Sequence, residues 1–154
     1  MSARSDFDQI IGDVTAAIVG RTLDQDLETF LNKAYPAAGG AFRALAKACE
    51  AGIAEGWLAN REHSGIRFGR IIKPSPTSGH FSVDVVLMDT IVGPHHRHPN
   101  GEIDAIMPLD PGAQFDGRGA GWLVYPAGHA HKPTVTGGKA IVLYLLPDGA
   151  IEFT

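Results

Sequence analysis

A chain of 154 residues has the length of one globular domain, and its 44% hydrophobic and 19% charged composition excludes a coiled coil or an extended low-complexity chain. Thirteen Lys and Arg against 17 Asp and Glu leave a net charge of −4, which excludes the positive field that would gather nucleic acid or anionic lipid. The single cysteine, Cys49, excludes an internal disulfide and a thiolate zinc site, and the polar start Met1 to Asp6, with no later apolar run near ~18 residues, leads us to expect a cytoplasmic protein without a membrane span.

From Phe7 to Ile18 the residues Phe7, Ile10, Ile11, Val14 and Ile18 recur at three- and four-residue steps, predicting a helix that Gly20 ends. Thr22 and Gln25 have capping-box spacing, and Leu23, Leu27, Phe30 and Leu31 mark a second amphipathic helix that stops before Pro36. A third is read from Phe42, Leu45, Ala46, Cys49 and Ile53, with Gly56 near its end. Cys49 lies on the apolar face of that helix, where a thiol is buried and inert. Residues 1–56 are thus expected to form a helical segment packed on a second part, residues 57–154.

After Trp57 short apolar or alternating runs are separated by Gly, Pro, Asn and Asp, which are strand signals. Strands are expected near Ile66 to Ile72, Phe81 to Thr90, Ile103 to Met107, Trp122 to Tyr125, Ala140 to Leu146 and Ile151 to Phe153. Turns are expected at 74–79, 99–101, 110–112, 117–121, 136–138 and 147–149. The short spacing requires antiparallel pairing, because parallel strands need crossovers of a dozen or more residues. The fold class is therefore mainly β with an α-helical N-terminal segment, arranged as a sandwich or small barrel.

Five of the seven histidines fall in two clusters, His95, His96 and His98, then His129 and His131. In extended chain, residues two apart share a face, so His96 and His98 can converge while Arg97 points away. The turn at Pro99-Asn100-Gly101 allows Glu102 to swing back toward the imidazoles, and His131 makes a fourth ligand. Three imidazoles with one carboxylate suit a divalent transition metal, namely Fe, Mn, Zn, Co or Ni. The competing reading is that surface loops merely happen to hold histidines. His95 and His129 are out of phase with the ligands and are expected beside the site or in solvent, while His63 and His80 are ordinary residues of polar turns.

The pattern His96-x-His98-x3-Glu102, then Pro126-x-Gly128-x2-His131, resembles the paired motifs of the cupin superfamily, although Gly93 and Gly121 depart from that family's usual spacing. The resemblance implies a cupin-type jelly-roll barrel, a double-stranded β-helix, over roughly residues 60–154. A narrower resemblance spans nearly the whole chain. The helical N-terminus, the run Pro94-His95-His96-Arg97-His98-Pro99-Asn100-Gly101-Glu102-Ile103, the run Gly121-Trp122-Leu123-Val124-Tyr125-Pro126-Ala127-Gly128 and the ending Leu143-Tyr144-Leu145-Leu146-Pro147 are similar to the small bacterial 4-hydroxylaminobenzoate lyases of nitroaromatic degradation. That family converts 4-hydroxylaminobenzoate and water to 3,4-dihydroxybenzoate and ammonia.

The resemblance implies an ammonia-releasing lyase whose partner is a small aromatic acid, and it carries the expectation of a homodimer. The competing functions are a metal-dependent cupin dioxygenase acting on a small organic acid or diketone, and a non-catalytic small-ligand-binding cupin. For proton transfer Asp104, two residues beyond Glu102 on the same strand face, is the first candidate and His129 the second. A benzoate end asks for a cation. Arg67 and Arg70 are oddly spaced on one strand, so at most one points inward, and Arg97 and Lys132 alternate away from ligand positions. Trp122, Tyr125, Phe68, Phe81 and Tyr144 are candidate ring-packing residues or ordinary core.

Overall fold

The computed structural model describes residues 2–154, in which three helices, α1 (Ala3–Ile18), α2 (Gln25–Ala34) and α3 (Gly40–Glu55), precede the strands. The helix ends follow from local hydrogen-bonding chemistry. Ser2 caps α1 by accepting from the Ser5 N–H, and α3 stops at Gly56, whose φ of 88° is the left-handed turn that glycine adopts without strain. The second cap differs from expectation. Asp24, not Thr22, accepts from the Leu27 N–H at 2.9 Å, because a carboxylate one residue before the helix reaches the third free amide directly.

Ten strands follow: β1 (Arg61–His63), β2 (Ile66–Ile72), β3 (Phe81–Val92), β4 (His96–His98), β5 (Glu102–Pro108), β6 (Gln114–Phe115), β7 (Gly121–Tyr125), β8 (His129–His131), β9 (Thr134–Pro147) and β10 (Glu152–Phe153). They form a large sheet in the order β1-β2-β3-β9-β5-β7, with β6 also on β9, and a small sheet in the order β10-β4-β8. Every pairing is antiparallel. The two sheets make a jelly-roll. The expected turn at 136–138 is instead a bulge inside β9, where Gly137 and Gly138 at positive φ place three residues opposite Thr90 alone. His63, expected in a turn, lies in β1, and its side chain remains exposed.

The large sheet is covered on both faces. Ile103, Ala105 and Met107 of β5 pack with Val83, Val85, Trp122, Ile141 and Leu143 against the helices, among them Phe7, Ile11, Leu31 and Leu45. The alternate residues Ile106, Leu123, Val142 and Tyr144 face the barrel interior with Met88 and Phe115. Because the side-chain period is two, Glu102 and Asp104 share the interior face with Ile106 and are fully buried there.

Helix α2 also closes the sheet's β7 edge. Asn32 accepts from the Trp122 N–H and donates to the Trp122 carbonyl, both at 2.9 Å, and Glu28 accepts from the Val124 N–H at 2.9 Å. Two side chains one helical turn apart thus stand in for a neighbouring strand, which satisfies an edge that would otherwise be open to association. Gly121 permits the approach, since a Cβ there would lie 2.9 Å from the Asn32 side-chain oxygen. Among the described residues, no helix is long and apolar enough to cross a membrane.

Candidate metal centre and active site

Strands β4 and β8 pair with His96 opposite His131, Arg97 opposite Ala130 and His98 opposite His129. Register partners share a face, so four imidazoles project from one side of the small sheet while Arg97 projects from the other. Across the barrel Glu102 opens β5. The intervening turn needs Gly101, whose φ is 88° and whose Cβ would sit 2.8 Å from the Tyr125 carbonyl oxygen.

One ligand atom each from His96, His98, Glu102 and His131 lies within 4.8 Å of the others. The Nε2 atoms of His96 and His131 are 3.0 Å apart, and Glu102 Oε1 lies 3.1 Å from the Nε2 of both His98 and His131. Ligands at about 2.1 Å from one ion stand about 3.0 Å apart at right angles and about 3.4 Å apart in a tetrahedron, so the spacing fits neighbouring donors at right angles. Both nitrogens of His98 and both oxygens of Glu102 are buried without a hydrogen-bond partner. Buried polar atoms left that way are costly, and their convergence suits a cation rather than each other.

The electrostatics agree. Burial, with the neighbouring His98 and His131, pushes His96 down to about 4. At His131 burial also disfavours the charge, but the hydrogen bond to Asp116 and the adjacent Glu102 carboxylate override it and lift the ring to about 9. Glu102 is likewise held below the usual carboxylate range, because His131 and His98 outweigh its burial. The Glu102 and Asp116 carboxylates, both held below their usual range, thus place negative charge beside the imidazoles, a balance that favours a cation among them.

Asp116, which no motif in the sequence marks, completes this arrangement. Its Oδ2 accepts from His131 Nδ1 at 2.6 Å and from the Tyr125 hydroxyl at 2.8 Å, while Oδ1 accepts from the Thr134 N–H at 2.9 Å. A carboxylate on Nδ1 fixes the tautomer that leaves Nε2 free to ligate. Asp116 lies in a Phe-Asp-Gly-Arg-Gly stretch that reads as a turn, and no spacing in the sequence links it to His131.

Asp104 is sealed from solvent, with neither oxygen hydrogen-bonded, and burial together with the neighbouring Glu102 carboxylate raises it well above the usual range. His129 lies at the edge of the cluster, half-buried, its ring stacked flat on Tyr125 at 3.9 Å and its centroid 5.3 Å from that of His131. Burial and the neighbouring His131 lower its pKa.

The other candidates separate by face. Arg70 pairs with Asp84 at 2.9 Å and shares the barrel side, whereas Arg67 donates to the Ala59 carbonyl. Arg97 pairs with Glu152 at 3.1 Å away from the imidazoles, and Lys132 and His95 are exposed. Trp122 and Phe81 belong to the helix-facing core, so they do not line the site; Tyr125 and Tyr144 lie on the barrel side. Cys49 is fully buried and its thiol is pushed up to about 12, chiefly by burial.

The sequence model of the family described as "PnbB: 4-hydroxylaminobenzoate lyase" matches residues 9–153. A 4-hydroxylaminobenzoate lyase of Nocardioides sp. (strain LMS-CY) is 37% identical, over 86% of this chain and 84% of its own length. Another, of Pseudomonas putida, is 33% identical over 95% of this chain and 94% of its own. Among solved structures, an RmlC-like cupin protein of Ralstonia eutropha JMP134 is 13% identical, covering 55% of this chain and 57% of its own, with a TM-score of 0.42. With a match that runs from the first helix to the last strand, the chain belongs to the 4-hydroxylaminobenzoate lyase family.

Proposed function

We propose that the protein converts 4-hydroxylaminobenzoate and water to 3,4-dihydroxybenzoate and ammonia, and that it does so at the His96, His98, Glu102 and His131 cluster. The observation that carries the reading is the convergence of three imidazoles and one carboxylate within 4.8 Å of one another, with both nitrogens of His98 and both oxygens of Glu102 buried without a hydrogen-bond partner. Whole-chain family membership supports the reaction.

The conversion is redox-neutral overall. The N–O bond breaks, a C–O bond forms at the ring carbon beside the nitrogen, the C–N bond is replaced by a second C–O bond, and the nitrogen leaves as ammonia. Water supplies the balancing oxygen and hydrogens. A divalent transition ion of the Fe, Mn, Zn, Co or Ni group, held by the four donors, would supply Lewis acidity for the N–O cleavage and for acidifying water.

The chain's own residues handle the protons and the orientation. His129, whose charged form burial and His131 disfavour, lies beside the cluster and would accept a proton from water at a ring nitrogen. Asp104, whose protonated form burial and Glu102 favour, shares a strand face with Glu102 and would hold a proton there. Asp116 fixes the His131 ring.

Anaerobic incubation of the metal-loaded protein with 4-hydroxylaminobenzoate is expected to release ammonia and dihydroxybenzoate without O2. His96→Ala and His131→Ala are expected to lose both metal and turnover, and either variant with full metal content and full activity would refute the placement. His129→Gln is expected to keep its metal and lose about 10²–10⁴-fold in kcat, read from steady-state kinetics beside elemental analysis.

A further inference from the structure

The donor cluster is least enclosed along the row that His96 and His131 form. Glu102 and the His98 side chain are 0% and 1% exposed, His96 is 5% exposed, and the His131 side chain reaches 10%. The two least enclosed donors are register partners, and the third member of their row is Phe153 of β10, which pairs with His96. Partners in register share a face, so Phe153 projects to the side of the imidazoles. Its ring stands edge-on to His96 at 5.9 Å and 78°, yet the residue is 69% exposed.

The residues on either side of Phe153 tie its strand to β4 and the residue before it. Glu152 pairs with Arg97 on the opposite face at 3.1 Å, and the Thr154 N–H donates to the His95 carbonyl at 3.1 Å. On the other flank of β4, strand β8 presents His129 stacked on Tyr125. The cluster is therefore bordered on the β10 flank, beside His96, by an apolar ring presented to water, and on the β8 flank by the His129 and Tyr125 stack.

We propose that Phe153 determines specificity for an aromatic substrate by packing against its ring. The inference rests on the lyase reading. When the hydroxylamino end of a para-substituted benzoate reaches the donors, the ring follows directly behind it, at the exposed end of the row where Phe153 stands. Burying the Phe153 face against a planar ring removes apolar area of both from water and adds an aromatic contact.

The test compares wild type, Phe153→Ala and Phe153→Tyr, each metal-loaded. Phe153→Ala is expected to raise KM for 4-hydroxylaminobenzoate about 3- to 10-fold while kcat, metal content and melting temperature stay near wild type; Phe153→Tyr, which keeps the ring, restores KM. Competition supplies a readout independent of turnover. Wild type is expected to bind benzoate more tightly than cyclohexanecarboxylate, and Phe153→Ala to lose that preference. An unchanged KM and an unchanged preference in Phe153→Ala overturn the proposal, as does a variant that loses metal or melts early, since that makes Phe153 a structural residue. A wild-type protein that prefers benzoate through Phe153 but releases no ammonia overturns the lyase reading and supports the aromatic site.

Discussion

At His131 two carboxylates divide one imidazole. Asp116 accepts the Nδ1 proton at 2.6 Å, and Glu102 Oε1 lies 3.1 Å from Nε2. With Nδ1 committed to donation, Nε2 is the nitrogen presented to an ion, and the ring plane is held by a carboxylate that Tyr125 and Thr134 in turn hold. Asp116→Asn keeps the shape and removes the charge, and it is expected to weaken metal affinity about 10- to 100-fold in a titration against a chromophoric chelator, with an unchanged far-ultraviolet dichroism spectrum. Wild-type affinity in that variant would mean that His131 is oriented by something else. Three members of the candidate cluster are legible in the sequence because they recur at short steps, two residues from His96 to His98 and four to Glu102, and His131 is legible as part of the second histidine cluster. Asp116 is not, since it meets His131 only through the three-dimensional path of β8 and β9, and its neighbours spell a turn. Phe153 falls between these cases. Its strand is predicted from Ile151 to Phe153, but which side it faces depends on its register with β4, and no local pattern encodes that.

Among the elements, β10 apart, the strands that reveal themselves in the sequence are those long enough to show a period. Strands β2, β3, β5, β7 and β9 carry five or more residues of alternating or continuous apolar pattern. Strands β1, β4, β6 and β8 have two or three residues each, too few for a period, and β4 and β8 are mostly histidine. The pairing of α2 with the β7 edge is equally hidden, because Glu28 and Asn32 look like the solvated face of an amphipathic helix. Asn32→Leu leaves the Trp122 N–H and carbonyl without their partners and is expected to cost about 1–3 kcal/mol in urea unfolding. Glu28 gives a pH signature. Burial raises its pKa, but hydrogen bonds from Val124, Gln25 and Arg118, with the Arg118 charge, outweigh burial and hold it below 4.5. A depressed folded-state value means that the unfolded chain takes up the proton first as pH falls. The stabilisation is therefore full above 4.5 and is lost as pH drops through the lower folded value. Urea melts between roughly pH 3 and 6 are expected to show a shallower loss of stability toward acid in Glu28→Gln than in wild type. Equal slopes would remove Glu28 from the acid response.

For the whole molecule, the large sheet separates the helix-packed core from the candidate site. One face packs against the helices through Val85, Ile103, Trp122 and Leu143, and the other carries Glu102 and Asp104 into the barrel. A lesion on the helix side, such as Leu45→Ala in α3, is expected to cost about 2–5 kcal/mol of stability while the folded fraction binds metal with wild-type affinity. The donors join the two sheets, with His96, His98 and His131 on the small one and Glu102 on the large one. The small sheet has little else to hold it as a sheet: three strands of two or three residues each, with an outer strand paired at only two positions. An ion bound by all four donors would tie that weak sheet to the well-packed one, so its binding energy appears as stability, about 2.7 kcal/mol when free metal is 100 times the dissociation constant. Chelation is then expected to lower the melting temperature and to speed amide exchange first in β4, β8 and β10, with β5 and β9 protected until global unfolding. Uniform loss of protection across both sheets would contradict this division, because it would mean that the small sheet is held by contacts other than the metal donors.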